Sequence, residues 1–215
     1  ESGIEAANAV LARHFSIVLL MSAPIATTLI FANEMAVLLM FGEVYQEVGA
    51  QHVQILAIAA LIIGVQGSYF SYAFTLSRKT YGQLYILAAA IVFHGACPAV
   101  ALYKMRSIGA SYAMLLTAIV STAAYYFFGK RASTDVALPI RPIWKIIVAS
   151  SAMAPFAAYA DGQESILVGI GLLLLGGFAY LVTLVLLRQT GILVVIGGLR
   201  SKMAKRGRQA DTTNQ

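Results

Sequence analysis

The chain has 215 residues, 60% of them apolar and 11% charged, with a formal net charge of +6. Ordinary soluble domains carry charge on about a quarter of their residues, so this composition excludes a water-solvated globule and points to a lipid environment. Nor does the positive balance indicate nucleic acid, which needs a basic stripe on a water-soluble surface, whereas nearly every cation here flanks an apolar run.

A helix needs about 20 apolar residues to cross a hydrocarbon core of about 30 Å while satisfying its own backbone hydrogen bonds. Six stretches qualify, at 15–41, 48–76, 81–103, 108–129, 143–160 and 165–187. The first two exceed one crossing, so tilt, a kink at Pro24 or an interfacial end near Asn33 and Glu34 must absorb the excess. The spacing predicts an all-α, polytopic transmembrane helix bundle of about six spans, with residues 1–187 as the membrane lobe and 188–215 as a basic tail. The chain begins at Glu1 without a signal-peptide pattern and reads as a piece of something longer.

Orientation follows from lysine and arginine, which stay in the cytoplasm when loops are short. Alternating the six spans places thirteen of the fifteen on one side: Arg13, Arg78, Lys79, Lys130, Arg131, Arg141, Lys145, Arg188 and the tail cations Arg200, Lys202, Lys205, Arg206 and Arg208. Only Lys104 and Arg106 fall on the other, beside the acids Glu43, Glu47, Asp161 and Glu164. Both termini are therefore expected in the cytoplasm. Beyond Leu187 the apolar segment 190–199 is too short and glycine-broken to cross, and the cations after it are expected to lie against an anionic leaflet.

In the second span Ala60, Gly64 and Ser68 form a small-residue stripe, and Gly109 and Ala113 repeat it in the fourth; both predict close helix approach. His52 and Gln66 share a face with Ala59 and Ala73, where packing is the expected role. In the third span Gln83, Leu87, Ala90, His94 and Cys97 fall on one stripe. Polar groups at membrane depth face other helices or a watery cavity. His94 is thus a candidate for lining a hydrophilic cavity, binding a sugar or phosphate or carrying a proton, or for a neutral histidine bonded to a neighbouring helix. Arg78 and Lys79 end the second span as a positive-inside stop, and Arg78 has the further possibility of holding a phosphate in two hydrogen bonds. Glu34 reads as an interfacial anchor or an ion-coupling carboxylate, and Tyr45, Tyr103 and Trp144 as interfacial belt residues. Candidate substrate contacts are accordingly Arg78, His94, Gln83 and Gln66. No enzyme motif, metal-ligand cluster or cofactor loop occurs, and the lone Cys97 can form no intrachain disulfide.

Several stretches resemble a known family. Pro24 followed by the run from Met35 to Tyr45, the run from Ile55 to Ala60, the turn around Ser77, Arg78 and Lys79, and the segment from Tyr103 to Ala113 are similar, in order and spacing, to landmarks of bacterial polysaccharide flippases. These belong to the superfamily of multidrug, oligosaccharide-lipid and polysaccharide exporters, in which two six-helix lobes face a central cavity. The resemblance is to the second lobe and covers nearly the whole chain. It implies flipping of an undecaprenyl-diphosphate-linked oligosaccharide across the bacterial inner membrane for polysaccharide biosynthesis, with an N-terminal lobe and membrane lipid as partners. It also implies a contact at the inner mouth for Arg78, the basic position after the eighth helix. With the first lobe absent, the chain alone is expected to insert without transporting. Two rivals stand beside this reading: a cation-coupled drug exporter, which would want acids deep in the lobe, and a non-transporting membrane scaffold.

Overall fold

The computed structural model describes residues 2–76, 80–132, 140–163 and 165–187. These form α1 (Ser2–Phe31), α2 (Asn33–Phe41), a 3-10 turn (Glu43–Tyr45), α3 (Gln46–Val65), a π-turn (Gln66–Phe70), α4 (Ser71–Leu76), α5 (Thr80–Ala132), α6 (Ile140–Asp161) and α7 (Ile166–Leu186). Six stretches are long and apolar enough to cross a bilayer: Asn8–Phe31, Glu43–Phe70, Tyr81–Tyr103, Met105–Arg131, Ile143–Asp161 and Ile166–Leu186. The fold is an all-α, polytopic transmembrane bundle with the expected number of spans. Arg78, Lys79, Glu164 and the basic tail from Arg188 onward lie outside the described residues.

The first span starts earlier than its apolar pattern suggests, because Arg13 and His14 interrupt the hydrophobic run without ending the helix. Its excess length is taken up at its C-terminal end. Ala32 leaves helical geometry (φ −118°, ψ 47°), and the chain restarts as the short α2. Ala32 brings no capping side chain of its own. Asp161, at the end of α6, supplies the missing acceptor: its Oδ1 receives the backbone N–H of Met35 at 2.9 Å. A carboxylate at a helix N-terminus satisfies an orphan donor and complements the helix dipole. An acid that reads from sequence as a loop charge is therefore the tie between the first break and the fifth span.

Pro24 lies inside α1 and has no N–H to offer the carbonyl of Leu20. The Tyr180 hydroxyl of α7 donates to that carbonyl at 2.9 Å. The second span also departs from a plain helix, with the π-turn inserted in its C-terminal half. Spans three and four are the two arms of α5, which reverses at Arg106 (φ 58°, ψ −149°), a left-handed backbone that costs a non-glycine residue. Gly109 makes this hairpin possible, since a Cβ there would run into the carbonyl of Ala101.

Contacts between helices run in the order α7, α6, α1, α3, α5, with α2 packed against α3 and touching α6. The core is correspondingly split. One cluster joins Phe15, Leu19, Ile146, Met153, Tyr180 and Leu184 with Tyr69; a smaller one joins Phe74, Ile86 and Tyr125; and Phe70 packs on both. The third span is the most peripheral, with Ile86 its one buried residue.

The small-residue stripe of the second span does not perform the expected close packing. A Cβ on Gly64 would meet nothing within 4 Å, and Ala60 is exposed. The tight approaches occur elsewhere: a Cβ on Gly49 would lie 2.9 Å from Val37 Cγ1, and one on Gly169 would lie 2.8 Å from Met35 Sδ. A small-residue pattern permits close approach without saying which face has a partner. In the fourth span the expectation fares better at Ala113, which is buried.

Candidate functional site

Spans two and four run parallel, and polar side chains join them at two levels. Near the N-terminal end of both spans His52 Nδ1 and Ser111 Oγ form a hydrogen bond of 2.7 Å. In the C-terminal half of both spans, Gln66 Oε1 accepts from Ser121 Oγ at 2.8 Å and from Thr122 Oγ1 at 3.0 Å. Ser111, Ala118, Ser121 and Tyr125 are all buried, and their spacing in threes, fours and sevens makes one face of the fourth span. The polar seam is thus held by the same face that packs.

Gln66 opens the π-turn. A π-turn adds a residue to one turn and so rotates the side chains beyond it relative to those before. The result is a division of labour: Gln66 bonds to the fourth span, while Tyr69 is buried against Phe15 of the first, ring centroids 5.0 Å apart. Phe70 then meets Tyr126 edge-on at 5.7 Å. The second span is therefore the junction between the two parts of the bundle, with its irregular turn at the joint.

The four candidates read from sequence do not meet. Gln66 is engaged as described, and Gln83 lies against Tyr125, a buried residue of the fourth span. His94 is exposed, as are its neighbours Phe93 and Gly95, while Ala90 and Cys97 on the same stripe are half-buried. Arg78 lies outside the described residues. The stripe through Gln83 and His94 is therefore a border, closed against Tyr125 at its N-terminal end and open at mid-depth. Pro98 lies one turn beyond His94 and has no N–H for that residue's carbonyl, so backbone and side-chain polarity coincide there.

A concave face of about 450 Å³ lies between spans one, two and five, walled by Phe15, Leu19, Leu61, Val65 and Ile146. Its polar groups are hydroxyls. Thr27 bonds to the carbonyl of Ala23 at 2.8 Å, and Ser151 to that of Ile147 at 3.0 Å. Ser150 Oγ is buried with no hydrogen-bond partner among the described residues. Sequence reasoning missed Ser150, Tyr180 and Asp161. For Tyr180 the available signal was the proline one turn beyond Leu20, whose carbonyl had to find another donor.

No protein-family model, curated protein or solved structure matches this chain. It is a polytopic helical membrane protein. Among the described residues no group of His, Cys, Asp and Glu is arranged to hold a metal ion. What the geometry offers is a bundle joined by neutral polar seams, with one histidine left on an open face at the middle of the membrane.

Proposed function

We propose that this chain is one lobe of a transporter that moves a lipid-linked oligosaccharide with a diphosphate head across the bacterial inner membrane, by alternating access against a second lobe. The observation that carries the reading is His94. It sits near the centre of the third span, exposed, next to a carbonyl that Pro98 leaves without its helical donor. An imidazole facing hydrocarbon beside a carbonyl that has lost its helical donor would be costly, so that face meets water or a polar partner. A second lobe across a wet cavity provides both. In this reading His94 and Arg78 contact the charged, hydrated head, while Gln66 and Gln83 keep spans two, three and four in register. Rocking one rigid bundle against the other then exchanges the cavity between the two faces.

Cation coupling has less support. Among the described residues the acids near the outer ends are Glu34, in the first turn of α2, Asp161, which caps that helix, and Glu43 and Glu47 at the start of the second span, none of them deep in the bundle. The scaffold reading is favoured by one observation, the closure of Gln66 into interhelical bonds with Gln83 packed against Tyr125, since a packed bundle without a polar cavity would suffice for it. Thiol accessibility separates scaffold from transporter. With Cys97 replaced by serine, His94→Cys in native membranes should react with a charged, impermeant thiol reagent about tenfold faster than Val92→Cys, which lies on the apolar side of the same helix. Glycan export should fall with His94→Leu at normal abundance. Equal, slow labelling at both positions together with undiminished export would remove the transport reading.

A further inference from the structure

A separate crevice of about 690 Å³ lies between the third and fourth spans and does not include His94. Gly82 and Arg131 stand at one end, Ala89 and Val120 on the walls, and Phe93 and Thr117 at the other end. The hairpin arms approach each other at both extremes, with Gly109 against Ala101 at the reversal and Gln83 against Tyr125 toward the other end. Small residues on the third span leave the gap between them.

Three properties define what fits. The interior is almost wholly apolar: Thr117 donates to the carbonyl of Ala113 at 2.8 Å, Ser121 donates to Gln66, and the remaining hydroxyl of the lining is that of the exposed Tyr85. The ligand portion inside is therefore apolar. The one charged lining residue is Arg131, at the end that the charge distribution assigns to the cytoplasmic face, with exposed Lys130 beside it. A guanidinium there matches a phosphate in two parallel hydrogen bonds. Finally, the distance from Gly82 to Phe93 along the helix is about 16 Å, close to half of a hydrocarbon core of about 30 Å, so the crevice extends through one leaflet and stops near the midplane.

We propose that this crevice holds one acyl chain of an anionic phospholipid of the cytoplasmic leaflet, with its phosphate on Arg131. The chain fills the space between the hairpin arms, and the head fixes the inner end of the fourth span to the membrane surface.

Native mass spectrometry of the purified 215-residue chain, released from detergent after incubation with equimolar phosphatidylglycerol and phosphatidylcholine, tests this. One phosphatidylglycerol should be retained per chain, preferred over phosphatidylcholine by about fivefold or more. Arg131→Gln should abolish the preference, Lys130→Gln should keep most of it, and the filling variants Ala89→Phe and Val120→Phe should lose the retained lipid altogether. Equal retention of the two lipids by the unmodified chain overturns the proposal. So does a preference that survives Arg131→Gln, an adduct that survives both filling variants, or stronger retention of an added polyprenyl phosphate. Arg131 is exposed at a helix end, so its variant should fold and decides the matter even if a filled crevice does not assemble.

Discussion

Tyr180→Ala should destabilise the bundle by about 3–5 kcal/mol, the range for emptying a buried aromatic site, read as unfolding in mixed detergent micelles. The ring is buried in the larger core cluster beside Phe15, Ile146 and Leu184, at the meeting of spans one, five and six. Its hydroxyl does a second job. Pro24 cannot donate to the carbonyl of Leu20, and Tyr180 does so at 2.9 Å from the far end of the sequence. Tyr180→Phe keeps the packing and removes that donor, so its cost should be about 1–2 kcal/mol, the range for a buried acceptor left unsatisfied. The decisive variant is the double one. Pro24→Ala restores an N–H to the helix, so in the Tyr180→Phe background it should recover most of the loss. If the two substitutions are simply additive, the hydroxyl is not compensating for the proline.

The second large effect separates two adjacent glycines. A Cβ on Gly176 would lie 3.0 Å from Phe156 Cβ and 3.3 Å from Met153 Cγ, whereas a Cβ on Gly177 would meet nothing within 4 Å. Gly176 is where α6 and α7 touch, and close backbone approach is a main source of helix association in lipid, where apolar burial gives little drive. Gly176→Leu should therefore force the pair apart and cost about 3 kcal/mol, at the upper end for overpacking a well-filled contact. Gly177→Leu, facing outward, should change stability by less than about 0.5 kcal/mol. Equal effects at the two positions would mean that α7 is rotated about its axis relative to the arrangement described.

The contrast between these glycines also explains what was legible in the sequence. Span number, approximate limits and the uneven charge follow from lengths and compositions that act residue by residue, and the six helices appear where the apolar runs place them. Which face of a span has a partner depends on the rest of the bundle. Ala60, Gly64 and Ser68 have the spacing of a packing stripe, yet Gly64 opens on empty space while Gly49, Gly169 and Gly176 make the close contacts. The same difficulty governs the candidate site. Gln83 and His94 share a stripe by periodicity, but the neighbouring arm of α5 reaches Tyr125 to Gln83 and leaves His94 outside. Gln66 was legible as a packing residue beside His52, and both bond across to the fourth span. The π-turn that separates Gln66 from Tyr69 has no compositional mark of its own. Asp161 was visible only as an acid near the outer face, because the N–H it caps belongs to a residue more than a hundred positions away.

The account rests on six spans whose direction alternates, with the cationic ends inside. A set of reporter fusions active only outside the cytoplasm measures this directly. Activity is expected after Glu47, Arg106 and Gly162, and silence after Lys79, Arg131 and Leu187. Silence at the first three sites, or activity at any of the second three, would contradict the topology and with it the depth assigned to His94 and the leaflet assigned to Arg131.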